Sequence, residues 1–425
     1  MTSETKKRIA AINSGIIPEG YKKTKVGIVP VEWETVRLKT ISKHCTEKNK
    51  NLKYRETYTN SATQGIIKQT DYFDKQISNN ENIDGYYVVR QNDYVYNPRI
   101  SVSAPCGPIS KSHFSETGVM SPLYTVFRLN DEYEDNGYIE HYFKSSFWYR
   151  YMSSVANYGA RHDRMNITNE DLFNMPIPFP PLPEQQKIAE ILSTQDKLIE
   201  LQEKKIEQLK KLKKAYLQKM FPQKGSKYPE LRFKGFTDPW EQRKFGDLGS
   251  VAMCKRIFKE QTTATGEIPF YKIGTFGGEP DAFISRELFE EYKAKFSYPE
   301  VGDMLISASG TIGRTVEYTG KDEYFQDSNI VWFKHDDRID NSFLRCLYSI
   351  VKWSGIEGST IKRLYNDNFL KTEFMLPCVA EQRKVGSFFS HLDTSITLHQ
   401  RKSEQEKQKK KALMQLLLTG KVRCV

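Results

Sequence analysis

An internal repeat, about half the chain long, constrains the fold of this sequence more than any other feature. Residues 184–188 read EQQKI, and residues 381–385 read EQRKV. A Trp-Glu pair opens the region before each copy, at Trp33 and at Trp240. A sequence that repeats at this period is expected to fold into two similar domains, which also suits a length of 425 residues.

Each copy of the repeat ends in a long segment with apolar residues at alternating steps of four and three. This spacing, flanked by Glu and Lys, is typical of the seam of a coiled coil. We therefore predict two long helices that pair antiparallel with each other. The alternative is that each helix packs only on its own domain. The predicted spacer and docking residues are Ile188, Leu192, Ile199, Ile206, Leu209, Val385, Phe389, Leu392, Ile396, Leu413 and Leu417.

The regions before the two helices predict globular α+β domains. Apolar runs such as residues 94–96 and 330–333 predict strands, and residues 140–152 and 341–353 predict helices. The fold class is therefore α+β, with two similar globular domains separated by two long helices in a pseudo-two-fold repeat. The expected segments are an N-terminal arm (1–32), a first domain (33–183), a central spacer helix (184–221), a linker (222–239), a second domain (240–380) and a C-terminal spacer helix (381–425).

The charge of the chain predicts an anionic partner. The formal net charge is +11, and a basic chain favours nucleic acid as that partner. The positive excess lies in the two helical segments and their flanks, while the two globular regions are close to neutral. Any contact between these regions and DNA therefore has to come from local groups of basic residues.

The cysteine and apolar patterns argue against several classes of protein. The six cysteines form no C-x-x-C pair, so we expect neither a structural zinc site nor a disulfide framework. No apolar run approaches the roughly 18 residues of a membrane span, and the N-terminus lacks the apolar stretch of a secretory signal. These features predict a protein of the reducing cytoplasm without a membrane segment.

Motifs for catalysis are largely missing from the sequence. The chain has no Gly-Lys-Ser/Thr phosphate loop. One pattern, formed by Asp281, Glu291 and Lys293, has the outline of a nuclease site in which two carboxylates hold Mg²⁺. The same residues also fit an exposed, highly charged helix. We predict no catalytic residues and no bound metal, and a stand-alone Mg²⁺-dependent nuclease is a remaining alternative.

Basic residues recur in corresponding loops of the two globular regions, beside Gly, Ser and Asn. Small residues let the backbone approach a phosphate, and arginine can read guanine in the major groove. For each single loop, the alternative is a solvated surface without a partner. The candidate DNA-binding residues are Arg99, Lys111, Arg161 and Arg164 in the first region and Lys255, Arg256, Arg314, Lys362 and Arg363 in the second.

Several motifs together resemble the specificity subunit of type I restriction–modification enzymes, and the resemblance covers essentially the whole chain. The motifs are residues 177–188 (IPFPPLPEQQKI), their copy at 375–382 (MLPCVAEQ), the lead-in at 231–241 (LRFKGFTDPWE) and the end at 417–423 (LLTGKVR). Two departures from the family pattern occur. Ala380 stands where a proline or similar residue is expected, and the first region has residues 105–109 (PCGPI) where the second has the more typical 309–313 (SGTIG).

The resemblance implies a DNA-recognition function without chemistry in this chain. Each globular region would be a target recognition domain that reads one half of a bipartite site in double-stranded DNA. The helices would set the spacing of the half-sites and dock two modification subunits, which bind S-adenosylmethionine. Restriction subunits would join this core and use ATP and Mg²⁺. A coiled-coil scaffold without a role in DNA binding is the alternative from another functional class.

Overall fold

The repeat corresponds to two structural units in the computed structural model, which describes residues 2–72, 83–133, 137–156, 163–358 and 362–424. Unit 1 is formed by Met1–Leu201 and Lys402–Val425, and unit 2 by Gln202–Arg401. Each of the two long helices therefore belongs partly to unit 1 and partly to unit 2. None of the helices in the described residues combines the length and the apolar character that a membrane span requires.

Short strands and short helices precede the first long helix. In chain order these elements are α1 (Ser3–Asn13), β1 (Tyr21–Thr24), β2 (Gly27–Pro30), β3 (Glu34–Arg37), α2 (Leu38–Ile41), β4 (Ser42–His44), β5 (Tyr58–Ser61), β6 (Gly65–Lys68), α3 (Gln69–Tyr72), β7 (Tyr87–Val89), β8 (Tyr94–Tyr96), β9 (Ile109–Lys111), β10 (Gly118–Met120), β11 (Thr125–Leu129), α4 (Gly137–Phe143), α5 (Tyr149–Val155), α6 (Asn169–Phe173), β12 (Pro176–Phe179) and the long helix α7 (Leu182–Lys219).

The second half of the chain follows a similar but shorter succession. Its elements are β13 (Glu241–Lys244), β14 (Gly249–Met253), β15 (Ile268–Tyr271), β16 (Phe283–Ile284), α8 (Arg286–Lys295), β17 (Met304–Ser307), β18 (Thr315–Glu317), β19 (Tyr324–Phe325), β20 (Ile330–His335), α9 (Asn341–Tyr348), α10 (Asn366–Lys371), β21 (Glu373–Leu376) and the long helix α11 (Val379–Leu417).

Each unit contains an antiparallel four-stranded sheet with the same strand order. The order is β4-β11-β8-β9 in unit 1 and β14-β20-β17-β18 in unit 2. The hairpin register also corresponds, because Tyr94 lies opposite Lys111 in unit 1 and Met304 lies opposite Glu317 in unit 2. In both units the strand that follows the repeated tryptophan, Trp33 or Trp240, pairs with the strand that precedes the long helix. These pairs are β3 with β12 and β13 with β21. The prediction of two similar α+β domains is confirmed.

The helix predicted at residues 140–152 is interrupted, and this part of the prediction is wrong. α4 ends at Phe143 and α5 begins at Tyr149. Trp148 is 1% exposed and donates a hydrogen bond from Nε1 to the carbonyl oxygen of Phe143, at 3.1 Å. Ser145 Oγ likewise donates to the carbonyl oxygen of Tyr142, at 2.6 Å. These side chains satisfy carbonyl groups that a continuing helix would use, so tertiary packing overrides the local pattern.

In unit 1 the beginning of α7 packs against the end of α11. Gln195 Nε2 donates to the carbonyl oxygen of Glu406 at 3.2 Å, and Lys410 Nζ lies 2.5 Å from Asp196 Oδ1. Gln195 is buried, so its amide needs the partner that Glu406 provides. Glu184, farther toward the start of α7, contacts Arg423, just beyond the end of α11, so the two helix segments in unit 1 run antiparallel.

In unit 2 the end of α7 packs against the beginning of α11. Lys213 Nζ lies 2.6 Å from Asp393 Oδ1, and His399 Nδ1 lies 2.7 Å from Gln202 Oε1. Residue numbers rise along one helix while they fall along the other, so these segments are antiparallel as well. Asp393 and Lys213 stand at the repeat positions of Asp196 and Lys410, and the ion pair of unit 1 is thus reproduced in unit 2.

The apolar stripe predicted along the two long helices is buried or half-buried at all eleven positions. At the helix ends it also enters the domain cores, where Ile188, Leu192 and Leu417 share a cluster with Trp33. Each helix therefore packs on a domain and on part of the other helix. Pairing of the helices and packing on a domain, which were alternatives in the prediction, both occur. The spacer role of these residues and coiled-coil supercoiling both remain predictions.

The repeated motif at the start of each long helix places a carboxylate in the core. Glu184 is 2% exposed and accepts hydrogen bonds from Trp33 Nε1 and Arg423 Nε, both at 2.9 Å. Glu381 is 1% exposed and accepts from Arg232 Nε and Nη2, both at 2.8 Å. A buried carboxylate requires such charged or polar donors, which explains why the motif joins the domain, the helix and a flanking segment.

The N-terminal arm and the C-terminal tail contact each other within unit 1. The hydroxyl of Tyr21 donates to the carbonyl oxygen of Gly420 at 2.9 Å, and Lys421 Nζ donates to Asn13 Oδ1 at 2.7 Å. Arg423, which binds Glu184, also pairs with Glu32. The tail therefore plays in unit 1 the part that Arg232 of the linker plays in unit 2.

Candidate nucleic-acid interface

In unit 1 the loop after β8 is held against the segment that precedes α6. The amide nitrogen of Ile100 donates to the carbonyl oxygen of Asp163 at 3.1 Å, and that of Met165 donates to the carbonyl oxygen of Pro98 at 2.8 Å. Arg99 and Arg164 lie opposite each other in the bridge between these bonds. Two candidate DNA-binding residues, distant in sequence, are thereby brought together.

Unit 2 forms the same arrangement after β17. The amide nitrogen of Gly310 donates to the carbonyl oxygen of Lys362, and that of Leu364 donates to the carbonyl oxygen of Ala308, both at 2.9 Å. Ser309 and Arg363 lie opposite each other between these bonds. Arg363 therefore occupies the position of Arg164, and the predicted correspondence of the two loops is present in the structure.

The hydrogen bonds also fix the register of the two hairpin loops. The amide nitrogen of Asn97 donates to the carbonyl oxygen of Pro108, and that of Ser307 donates to the carbonyl oxygen of Arg314, both at 2.9 Å. Pro108 thus stands where unit 2 has Arg314. The glycines before them, Gly107 and Gly313, both have a left-handed φ, 76° and 90°, which glycine adopts without strain. The sequence of residues 105–109 (PCGPI), which differs from the family pattern, therefore belongs to a loop that is longer than the one in unit 2. Both loops close with the same glycine turn.

The equivalent arginines Arg164 and Arg363 differ in their charged neighbours. Arg164 Nη2 lies 3.2 Å from Asp163 Oδ2, and this guanidinium lowers the pKa of the Asp163 carboxyl. The position of Asp163 is taken by Lys362 in unit 2. Among the described residues, Arg363 forms no ion pair and is exposed. Its guanidinium is therefore available for a phosphate or a base edge, while that of Arg164 is partly neutralised.

The remaining candidates have varied environments. Arg256 pairs with Asp327 at 2.6 Å, Arg314 Nη1 donates to the carbonyl oxygen of Phe276 at 2.8 Å, and Lys255 Nζ lies 5.1 Å from the ring centroid of Phe296. Lys111 is half-buried and lies opposite Tyr94, away from the loop end of its hairpin. Lys362 is exposed beside Arg363. Arg161 lies outside the described residues.

A recess beside Arg363 contains residues that the charge pattern did not reveal. It has a volume of about 520 Å³ and is lined in part by Asn329, Arg363, Tyr365 and Asn366. Tyr365 is 49% exposed. Amide and guanidinium groups can hydrogen-bond to base edges, but Glu357 and Asp367 also line the recess and make part of it acidic. Uncharged residues lack a sequence signal of their own, although the repeat does relate Asn366 to Asn169.

The nuclease pattern does not assemble into a metal site. Asp281 pairs with Lys272 at 2.8 Å, and Glu291 pairs with Lys295 at 2.9 Å on the exposed face of α8. Lys293 Nζ lies 3.9 Å from Asp322. Nowhere in the described part of the chain do three or more His, Cys, Asp or Glu side chains form a group suited to a metal ion. The carboxylates of this pattern therefore act as surface ion-pair partners.

Both halves of the sequence match one known protein family. The family described as "Type I restriction modification DNA specificity domain" matches residues 30–211 and 237–408. A Haemophilus influenzae protein provisionally named type I restriction enzyme specificity subunit S.HindORF215P is 43% identical over 251 residues, 58% of this chain and 64% of the relative. The chain thus spans somewhat less than two thirds of that relative's length.

Two further similarities extend over nearly the whole chain. A protein of Methanocaldococcus jannaschii, provisionally named type I restriction enzyme MjaX specificity subunit, is 24% identical over 441 residues, 95% of this chain and 97% of the relative. The crystal structure of a type I restriction–modification S subunit from M. genitalium has a TM-score of 0.54 at 16% identity, covering 91% of this chain and 96% of that chain. That structure supports the fold. With the family match to both halves, these findings show that the chain belongs to the type I restriction–modification specificity family and carries two copies of its DNA specificity domain.

Proposed function

We propose that this chain is the sequence-recognition subunit of a type I restriction–modification complex. Each unit reads one half of a bipartite site in double-stranded DNA. The observation that carries this proposal is an arrangement found in both units. In each, the hairpin loop is hydrogen-bonded to the segment before α6 or α10, which sets Arg164 and Arg363 at equivalent positions. Two copies of one recognition surface in a single chain suit a target with two half-sites.

The chain contributes recognition, and other subunits contribute the chemistry. Two modification subunits bind S-adenosylmethionine and methylate the DNA, and restriction subunits use ATP and Mg²⁺ to act on it. The complex works in the cytoplasm, where bacterial and archaeal DNA is located. Family membership and the absence of catalytic motifs from the sequence support this division of labour.

The long helices set the spacing of the two half-sites and provide a site for the modification subunits. The buried stripe from Ile188 to Leu209 and from Val385 to Leu417 gives the helices the packing that a rigid spacer requires. Docking itself uses exposed helix residues, because the buried ones are already covered. Leu198 and Leu201 are 40% and 61% exposed, and they offer apolar area for such a contact.

Exchange of one domain tests the assignment of half-sites. Residues 240–380 are replaced by the equivalent region of another specificity subunit, and the chimaera is expressed with the modification subunits of this system. Sequencing of methylated bases in the host should then show one half of the motif changed and the other half retained. A change in both halves would refute the modular assignment.

Binding of the assembled complex to DNA separates the proposal from the scaffold alternative. Recognition of DNA requires an affinity that falls steeply with salt and a preference for one sequence over others. The measurement compares duplexes with and without the methylated motif over a series of salt concentrations. A scaffold without a DNA role would leave the affinity of the complex unchanged when Arg164 and Arg363 are both replaced by alanine.

A further inference from the structure

The loop at residues 97–108 of unit 1 is held firmly at its base. Asn97 is buried and its Nδ2 donates to the carbonyl oxygen of Asn60 at 2.8 Å. The hydroxyl of Tyr96 donates to the carbonyl oxygen of Cys106 at 3.1 Å. Ala104 and Cys106 are each 3% exposed. Buried anchors and hydrogen bonds on both sides of the loop define its position relative to the sheet.

The tip of the loop is a tight turn with its own hydrogen bonds. The amide nitrogen of Ser101 donates to the carbonyl oxygen of Ala104 at 3.0 Å, and the amide nitrogen of Ala104 donates to Ser101 Oγ at 3.1 Å. Ser103 Oγ lies 3.2 Å from Ser101 Oγ. Val102 stands at the apex and is fully exposed, with a relative accessibility of 106%. A well-defined turn therefore presents a stiff, β-branched apolar side chain to solvent.

The base of the loop carries two arginines, and its tip is specific to unit 1. Arg99 and Arg164 lie at the base of the loop, where both can contact phosphates that flank a groove. Unit 2 has a shorter connection between its strands, and its equivalent loop contains Ser309, Gly310 and Thr311. The exposed valine is thus a feature in which the two recognition surfaces differ.

We propose that Val102 is a specificity-determining residue that contacts the 5-methyl group of a thymine in the major groove. This inference rests on the proposed function, and it deepens that function for the half-site read by unit 1. Thymine is the only base whose major-groove edge offers an apolar group, and apolar side chains read it by direct contact. Val102 covers the methyl group while Arg99 and Arg164 bind the adjacent backbone.

The test removes either partner of the contact, the 5-methyl group of thymine or the methyl groups of Val102. The complex with its modification subunits is titrated with duplexes in which each thymine of the unit 1 half-site is replaced in turn by deoxyuridine. At one position, binding by the unchanged complex should weaken about fourfold, the factor expected for one buried methyl group. The Val102→Ala complex should bind the thymine duplex several-fold more weakly and should not distinguish thymine from deoxyuridine at that position.

Two controls accompany the measurement. Val301→Ala changes a valine that is 74% exposed in unit 2, before β17 and at the opposite end of that strand from the loop, and this variant should retain the full effect of the methyl group. Deoxyuridine in the half-site of unit 2 should affect the Val102→Ala and unchanged complexes equally. The near-isosteric Val102→Thr should keep the contact through its remaining methyl group.

Several results would overturn the proposal while leaving the proposed function intact. These are a unit 1 half-site without any A·T pair, a Val102→Ala complex that keeps the effect of the methyl group, or a loss that is equal on all sequences. The last result is expected of a wedge between base steps. A complex without any sequence preference would instead refute the proposed function itself.

Discussion

Units 1 and 2 share a strand order and a motif, yet they stabilise the same buried carboxylate by different means. Glu184 receives three donors in unit 1, namely Trp33 Nε1 and, from the C-terminal tail, Arg423 Nε and the amide nitrogen of Cys424. Within the described residues Glu381 receives only the two nitrogens of Arg232, and Trp240 Nε1 has no hydrogen-bond partner. A repeated motif therefore fixes where a charge is buried, while the flanking segments determine how well it is compensated.

The largest expected effect comes from removal of the single partner in unit 2. Arg232→Met leaves the Glu381 carboxylate buried without a donor, and we expect it to lower the free energy of unfolding of unit 2 by about 3–5 kcal/mol. Arg423→Met should cost unit 1 less, about 1–3 kcal/mol, since Trp33 and the amide of Cys424 still bind Glu184. Urea titration with hydrogen exchange resolved by peptide measures each unit separately.

A matched substitution on the surface of unit 2 provides the control. Arg383 pairs with Asp340 at 3.3 Å but is 72% exposed, so Arg383→Met should change the free energy of unfolding by less than about 1 kcal/mol. Equal losses for Arg232→Met and Arg423→Met would show that the extra donors to Glu184 contribute nothing, and the contrast between the units would then disappear.

The loop arginines should contribute unequally to DNA binding. Arg363→Ala is expected to weaken binding of the cognate duplex by about 1–3 kcal/mol, because its guanidinium has no carboxylate partner among the described residues. Arg164→Ala should cost less, since Asp163 already neutralises part of its charge, and Asp163→Asn should strengthen binding. Titration of the complex with cognate and non-cognate duplexes measures these changes and shows whether each arginine contacts a base or only phosphate.

Arg338→Ala serves as the control for these arginine variants, since Arg338 is exposed before α9 and pairs with Asp336 at 2.7 Å. Its replacement should leave the affinity for DNA almost unchanged. If Arg164→Ala and Arg363→Ala weaken binding to the same extent, Asp163 does not modulate the first recognition surface. If neither variant changes binding or the methylated motif, both loops are simply solvated.

The pH dependence of stability should also differ between the units. His141, on α4, is 3% exposed and its Nε2 lies 3.1 Å from Ser193 Oγ. Burial lowers the pKa of His141 to about 4. The other charged groups that act on it are Lys144, Lys410, Asp196 and Glu140. In unit 2 an arginine, Arg345, lies 3.9 Å from Asp393, the counterpart of Asp196.

Because the folded pKa of His141 is depressed, the unfolded chain binds the proton more readily near pH 6. Stability from this group is therefore complete above the ordinary pKa of about 6.5 and is lost as the pH falls toward 4. Between pH 7 and pH 5.5 we expect unit 1 to lose about 1 kcal/mol. Hydrogen exchange at both pH values measures the loss, which His141→Gln should abolish. A pH response unaltered by that substitution would assign it to other groups.

The smallest expected effect concerns the ion pairs of the long helices, where the units are alike. Lys410 and Lys213 pair with Asp196 and Asp393 at 2.5 and 2.6 Å, and the lysines are 18% and 26% exposed. Lys410→Gln and Lys213→Gln should each lower the free energy of unfolding of their unit by about 1 kcal/mol or less, and by similar amounts. Thermal unfolding of the two variants gives this comparison, and a clear difference between them would contradict the equivalence of the pairs.

Local patterns predicted much of this fold. The repeat, the two long helices and strands such as β8 and β20 follow from periodicity, which depends on residues close together in the sequence. The interruption between α4 and α5 did not follow, because it depends on the burial of Trp148 in a core built from distant segments. Sequence patterns also suggested that the loops with Arg164 and Arg363 correspond, since both precede a repeated Asn.

The sequence by itself determined that the chain has two similar α+β domains, two long helices and basic loops at matching places. Only the tertiary structure decided which loop residues meet, that Asp163 neutralises Arg164 while Lys362 stands beside Arg363, and that Arg423 binds Glu184. The physical reason is the range of the interactions. Helix and strand periodicity arise from neighbouring residues, whereas hydrogen bonds and ion pairs between loops require groups that only the folded chain brings within about 3 Å.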